Sequence, residues 1–563
     1  MHQWAPFIPP PFPLLFSSQT PTLSTISNSL NNLSLSLSLS LSLSQIILFL
    51  LFLLPPISMV KLKPPTSIMP PNFPLPVSLL LLLLLLLLNC ATKTVQCFDE
   101  HEKKLLSLQN LQWQALQSGT TSSSSSSCVS QKSRTEKGAI VLEMKHRDYC
   151  SGKTIDWNKE QKKRLILDKL HVQNLQSRIR TTNSSNIKVV SESNTQIPLT
   201  SGIKLQTLNY IVTIQLGGKK MAVIVDTGSD LTWVQCQPCK SCYAQQDPLF
   251  NPSISPSYKK VECNSSTCQS LLFATGNSGV CSSNLDPTCN YYVSYGDGSY
   301  TRGDLGSERL VLGTTPVEGF VIGCGRNNKG LFGGASGLMG LGRSDLSLIS
   351  QTNSIFGGVF SYCLPSTQPG ASGSLVLGGD SYSSVYKNST PITFTRMVSN
   401  PQLSTFYVLN LTGVSIGGVR LLSNSSSFGK LGGILIDSGT VITRLPPSIY
   451  SAFKAEFLKQ FSGFPSAPGF SILETCFNLS AYQEVNIPVV KLQFEGNAEM
   501  AVDVMGIFYF VKADASQVCL ALASLSFEDE IGIIGNYQQK NQRVIYDTKE
   551  SKLGFAGESC TSL

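Results

Sequence analysis

The chain has 563 residues, of which 14% are charged and 44 are glycine, with a formal net charge of +8. That length exceeds one ordinary hydrophobic core, so two or more folded units with flanking segments are expected. The positive charge is uneven: the first 196 residues carry a net of +9, whereas from Ile197 onward 24 Lys and Arg meet 25 Asp and Glu, so composition gives no support to a nucleic-acid partner for the folded part.

Residues 1–58 contain the repeat "LSLSLSLSLSLS" and read as a leader outside the functional protein, with initiation at Met59 or Met69. Residues 59–91 read as a signal peptide: Lys61 and Lys63 precede the apolar run Leu79–Leu88, and small residues follow around Ala91. The run is too short to span a bilayer, so no stable membrane anchor is expected. Residues 92–196 are polar and basic, with a serine tract at Ser122–Ser127 that is expected to be disordered. Within them "NKEQKKRLILDKLHVQNLQSRIR" predicts a helix presenting Leu167, Leu170, Leu175 and Ile179. Its position ahead of a cysteine-rich domain makes 92–196 a removable prosegment.

From Ile197 short Val, Ile, Tyr and Phe runs alternate with Gly, Asn and Ser clusters, which predicts mainly β structure with few helices. "NYIVTIQLGG" and "MAVIVD" are its first strands. "GCGRNNKG" reads as a turn, because it lacks the Lys-Ser/Thr of a phosphate loop. One helix is predicted after Pro446-Pro447, where Ile449, Phe453, Phe457 and Phe461 recur every four residues up to Gly463. Of sixteen cysteines, Cys90, Cys97, Cys128 and Cys150 lie upstream and twelve fall between Cys236 and Cys560. An even dozen implies up to six disulfides and an oxidising compartment. Cys236, Cys239 and Cys242 have a spacing that zinc could use, but no histidine lies downstream to complete such a site, and no metal or other cofactor is expected.

The informative feature is an internal echo. "VIVDTGSDLT" (Val223–Thr232) recurs as "ILIDSGTVIT" (Ile434–Thr443), and each copy is followed by an apolar-glycine segment, "GLMGLG" and "GIIGNY". The pattern is that of a duplicated lobe. A hydrophobic strand ending in Asp-Thr-Gly or Asp-Ser-Gly delivers a carboxylate at a tight turn, where glycine relieves the backbone and the hydroxyl braces it. Two such turns face to face bring together carboxylates that cannot both ionise cheaply, so they share one proton. One member can then activate water while the other protonates a carbonyl oxygen. The four histidines all precede Ile197, so the folded part offers no Ser-His or Cys-His pair.

These residues resemble the pepsin-like aspartic proteases, and "CQPCKSCY", "FSYC" and "IIGNYQQKNQRVIYDTKESKLGFA" resemble their nepenthesin-like plant subfamily. The resemblance implies a mainly β, bilobal pepsin-like fold of two pseudo-symmetric lobes, 197–385 and 386–563, with the active site in the cleft between them. It implies Asp226 and Asp437 as the catalytic pair, supported by Thr227, Gly228, Ser229, Ser438, Gly439 and Thr440. The flap would be "YGDGSYTRG", with Tyr295, Gly296, Asp297, Gly298 and Ser299 at its tip and Trp233 behind it. "NQRVIYD" to "KLGFA" would be the last strands of the second lobe. A disulfide between Cys476 and Cys519 is implied by the resemblance alone.

The expected function is therefore an acid endopeptidase made as a zymogen, a monomer acting on protein or peptide substrates, with its own prosegment as intramolecular inhibitor. Basic residues around Lys159–Arg180 would hold that prosegment over an acidic cleft. The destination is secretion to the apoplast, with the vacuole or chloroplast as alternatives, and N-glycan acceptors stand at Asn264, Asn388, Asn410, Asn424 and Asn478. Two rival readings are an inert protease-like inhibitor or binding protein and a plastid nucleoid-type protease.

Overall fold

The computed structural model describes residues 102–108, 132–146, 157–183 and 210–560, apart from 282–286, 296–297, 331, 367–371, 381–384, 401–402 and 423–432. The leader, the signal peptide, the serine tract, the four upstream cysteines, Gly296, Asp297 and Asn424 lie outside the described residues.

Lys219–Asp226 is a strand whose residues from Met221 to Asp226 are all buried, which is why it reads as one apolar run up to the aspartate. It pairs antiparallel with Tyr210–Leu216 and parallel with Gly337–Gly340, placing Gly340 opposite Asp226. Gly337–Gly340 also pairs antiparallel with Trp233–Gln235, the strand just beyond the turn. The second lobe repeats the unit: Ile434–Ile436 runs parallel to Gly532–Ile534, which pairs antiparallel with Thr443–Leu445. Glycine is required at equivalent points in both copies. A Cβ at Gly340 would strike the backbone of Asp230, and one at Gly535 the backbone of Val441. The echo in the sequence is thus a packing requirement repeated twice.

The lobes are joined by a continuous sheet. Val359–Cys363 pairs with Ser372–Leu377 on one side and with Gln542–Asp547 on the other, and Lys552–Gly557 follows. The strands expected to close the second lobe are therefore hydrogen-bonded to a first-lobe strand, and the Cys363–Cys560 disulfide ties the same junction. Ala139–His146, inside the span read as polar prosegment, is a strand between Ser372–Leu377 and Tyr210–Leu216. Its Ile140, Leu142 and Met144 join the main core. Farther upstream, Lys103–Ser107 pairs antiparallel with Glu484–Pro488 and buries Leu106, and Leu108 just beyond it is also buried.

"GCGRNNKG" is not a turn: all but its last glycine lies within the strand Thr315–Lys329. Its Gly323 is needed for close packing, since a Cβ there would meet the Tyr291 ring at 2.6 Å. The predicted helix is present as Pro447–Gln460, with proline at its first turn and Phe461 as its C-cap. The upstream helix also forms, as Trp157–Asn183, but in a different register. Leu167, Leu175 and Ile179 are buried whereas Leu170 is exposed, and the inward stripe runs through Leu165, Asp168, Val172, Leu175, Gln176 and Ile179. That spacing is the i, i+3, i+4, i+7 stripe of one helix face, and Leu170 falls off it.

All twelve cysteines of the folded part are paired: Cys236–Cys324, Cys239–Cys242, Cys263–Cys281, Cys268–Cys289, Cys363–Cys560 and Cys476–Cys519. The pair implied by the resemblance, Cys476–Cys519, spans facing strands. The three cysteines with zinc-like spacing are all engaged in disulfides. Among the described residues no helix is long and apolar enough to cross a membrane.

Phe457 is fully buried against Phe453, Phe461 and Phe508. Phe457→Ala is expected to lower the unfolding free energy by about 3–5 kcal/mol, measured by denaturant titration.

Candidate active site

The two Asp-turns meet and interlock. The Ser438 N–H donates to Thr227 Oγ1 at 2.9 Å, and the Thr227 N–H donates to Ser438 Oγ at 3.1 Å. Each carboxylate is braced by its own turn. Asp226 accepts from the Gly228 N–H at 3.0 Å and from Ser229 Oγ at 2.5 Å; Asp437 accepts from the Gly439 N–H at 2.8 Å and from Thr440 Oγ1 at 2.7 Å. The glycines leave room for the opposite acid: a Cβ at Gly228 would lie 2.8 Å from Asp437 Oδ1, and one at Gly439 would collide with Asp226 Oδ1. The six supporting residues named from sequence are therefore all at the site, around two buried carboxylates. Among the described residues no three His, Cys, Asp or Glu side chains converge as a metal site.

Cys289–Ser294 and Tyr300–Leu312 form the hairpin read as the flap. At its tip Tyr295 and Ser299 are backbone-bonded, and Gly298 takes a left-handed φ of 78° that favours glycine. The Tyr295 hydroxyl accepts from Trp233 Nε1 at 2.7 Å. Trp233 itself is wholly buried, edge-on to Phe332 and Tyr243, so it is a core residue that also holds the hairpin tip through Tyr295.

Sequence reasoning missed a histidine. His171, on the upstream helix, lies with Nε2 3.4 Å from Asp437 Oδ2. The only signal was its place one turn beyond Asp168 on the helix's inner stripe. Between helix and first lobe a narrow cavity remains, lined by Asp226, Ser229, Thr275 and Tyr295 facing His171 and Leu175. The helix holds the second lobe through Asp168, which pairs with Arg444, and through Gln176, which exchanges hydrogen bonds with the Ile531 backbone. Leu165 packs against Val441 and Ile442, and Val172, Leu175 and Ile179 against Phe406, Leu435 and Ile533.

Burial alone would lower the pKa of His171, but the hydrogen bond and charge of Asp437, with Asp226 and Asp168 behind, raise it to about 9. Burial and the charge of Asp437 raise Asp226 to about 6, against the hydrogen bond from Ser229. For Asp437, burial is outweighed by the hydrogen bond and charge of His171 and by the Thr440 and Gly439 donors, which hold it below the ordinary carboxylate range. The helix-covered site is thus asymmetric: a cation, an ionised Asp437 and an Asp226 that keeps its proton into mildly acid conditions.

A bilobal β fold with two interlocked Asp-Ser/Thr-Gly turns under a hairpin flap defines the pepsin-like class of aspartic protease. Comparison with known proteins agrees. Residues 210–379 match the family model described as xylanase inhibitor N-terminal and 406–557 the one described as xylanase inhibitor C-terminal. The chain is 42% identical to an aspartyl protease family protein of Arabidopsis thaliana over 78% of its own length and 91% of the relative's. It is 37% identical to aspartyl protease AED1 of the same plant, covering 82% and 96%, and 36% identical to aspartic proteinase nepenthesin-1 of Nepenthes gracilis, covering 62% and 78%. Among solved structures, basic 7S globulin from soybean shares the fold at a TM-score of 0.50 and 22% identity, over 63% of this chain and 94% of that one. The chain belongs to the plant pepsin-like aspartic protease family and is an aspartic-type endopeptidase.

Gly439→Ala should abolish peptide hydrolysis, because the added methyl displaces Asp226. Tyr295→Ala should lower kcat/KM by about 10²-fold, the loss that accompanies misplaced substrate, while the melting temperature falls little because Tyr295 is only partly buried. Normal kinetics with a collapsed melting temperature would make Tyr295 a purely structural residue.

Proposed function

We propose that Asp226 and Asp437 are the catalytic pair of an acid endopeptidase made as a zymogen, and that residues 92–196 are its prosegment, lying in its own cleft. The contact between His171 and Asp437 carries this reading: a group from the upstream segment stands against one of the two carboxylates that would have to react.

Once the helix leaves, the cation goes with it and the pair shares one proton. The ionised member takes a proton from water as the oxygen attacks the peptide carbonyl, and the protonated member donates to the carbonyl oxygen. The tetrahedral intermediate then collapses, the C–N bond breaks and the leaving nitrogen is protonated. The flap tip around Tyr295 excludes bulk water during these steps.

The charges on the two partners determine when the helix is held. Asp437, with its pKa depressed, contributes stability above the ordinary carboxylate value of 3.8 and loses it as pH falls through its own lower value. His171, raised from 6.5, contributes fully below 6.5 and loses its contribution as pH rises through about 9. The pair therefore holds best between about 4 and 6.5, and acid releases it by protonating Asp437. The cation at the dyad is a histidine rather than one of the lysines or arginines expected from the basic leader.

A secretory destination, to the apoplast or the vacuole, is supported by the signal-like segment 59–91, six disulfides, and the exposed sequon asparagines Asn264 and Asn388. Asn410 and Asn478 are half-buried.

Full-length protein should be inactive near neutral pH and shorten by roughly a hundred residues, in step with activity, below about pH 4. His171→Ala should move that transition to higher pH, and Asp437→Asn should yield a folded protein that never becomes active. Full activity of the uncut wild-type chain would overturn the zymogen reading. Glycosidase digestion of protein from its native tissue should lower the apparent mass; no change would remove the support from the sequons.

A further inference from the structure

The upstream helix does more than cover the dyad. Asp168 is fully enclosed, with its side chain 1% exposed, and three donors of the second lobe converge on it. The Val441 N–H meets Oδ1 at 2.6 Å, the Ile442 N–H meets Oδ2 at 3.2 Å, and Arg444 Nη2 meets Oδ2 at 2.7 Å. All three belong to the run Val441–Arg444, immediately after the Thr440 that braces Asp437. The guanidinium is anchored to the same turn, since Arg444 Nη1 donates to the Ile442 carbonyl at 2.8 Å. These donors are therefore arranged by the protease domain, and the helix supplies only the carboxylate.

The duplication shows that the arrangement is peculiar to one lobe. Counting from each catalytic-turn aspartate, Val441 corresponds to Asp230 and Arg444 to Trp233. In the first lobe Asp230 spends its own carboxylate on the Ser344 N–H, and Trp233 reaches the flap tyrosine. In the second lobe the same two positions present an N–H group and a cation, and the neighbouring Ile442 adds a second N–H. The carboxylate that Arg444 meets is that of Asp168, and both are buried while the helix is in place, so removing the helix takes the counter-ion away from the guanidinium. Its planar fork suits a carboxylate.

We propose that Val441, Ile442 and Arg444 form a carboxylate-recognition site that makes the processed enzyme select protein substrates carrying a Glu or Asp side chain within about three residues of the bond cut. The spacing follows from the helix: Asp168 is three residues from His171, a rise of about 4.5 Å, and His171 marks the dyad. An extended substrate advances about 3.3 Å per residue, so one or two residues cover the same distance, and a long side chain reaches one further. Asp168 acts as the stand-in for that substrate side chain. The site selects by pairing its own donors, so an amide in place of the acid leaves the cation unsatisfied.

This inference rests on the reading that the helix leaves and the dyad cuts peptides, and the test separates the two. Full-length protein is activated in acid and assayed at pH 5 on peptides blocked at both ends, so that only a side chain can supply a carboxylate. The peptides differ only in Glu against Gln at each of three positions on either side of the cut. At one position Glu should be favoured about tenfold in kcat/KM, chiefly through KM. Arg444→Met should bring that ratio close to one, and Arg444→Lys, which keeps the charge and loses the fork, should retain part of it. A ratio of one at every position, with the Gln peptides well cut, overturns the inference and leaves the protease reading standing. An Arg444→Met enzyme that keeps the wild-type ratio overturns it too. Absence of any cleavage by wild type overturns the reading beneath both. Should Arg444→Met fail to fold, the wild-type ratio and Arg444→Lys decide the matter.

Discussion

Two carboxylates held at one point against their mutual repulsion are the constraint on which the rest of this molecule is arranged. The constraint is met by backbone before it is met by charge. Thr227 and Ser438 exchange hydrogen bonds across the pseudo-twofold, so neither turn can shift without the other. The glycines at 228 and 439 let the opposite acid approach to where a side chain would otherwise stand. Behind each turn a parallel strand pair fixes the direction from which the aspartate arrives, and a further glycine lets the strand beyond the turn lie against it.

The electrostatic problem then finds different solutions in the two lobes. Asp226 is surrounded by hydroxyl and N–H donors but lies beside a charged neighbour, and it keeps its proton into mildly acid conditions. Asp437 has His171 against it and stays ionised. One helix thus touches both the carboxylate pair and, one turn away, the cationic donor set around Arg444. Its acid and its base each meet an opposite charge on the same lobe, and its apolar residues pack on either side of that pair. Such a helix is held by complementarity to this site rather than by net attraction of a basic segment for an acidic domain.

The strand Ala139–His146 extends that dependence beyond the cleft. It lies between two first-lobe strands next to the junction, and its side chains are part of the main core. The upstream segment is therefore anchored by sheet pairing as well as by the helix, and Lys103–Ser107 adds a third attachment at the second lobe.

Much of the site was legible in the sequence because its chemistry is local. An apolar run, an acid, a hydroxyl and a glycine within four residues determine a strand-turn that displays a carboxylate, and finding it twice predicts a pair. Tyr295 and the helix after Pro447 were readable for the same reason, each being a short-range pattern. What only the tertiary structure decided depends on residues far apart in the chain. His171 is 266 positions from Asp437, and Asp168 is 276 from Arg444. No periodicity within the helix can show which face meets what, and Leu170 groups with the apolar residues by spacing yet is exposed, because helical spacing alone does not fix the phase of the stripe. Likewise "NQRVIYD" is recognisably a strand, but its partner across the junction is selected by packing of the two lobes. The sequence by itself determined the carboxylates, their braces and the duplication, since those are properties of a few adjacent residues; the fold alone decided what covers them, because burial and charge pairing there belong to surfaces assembled from distant segments.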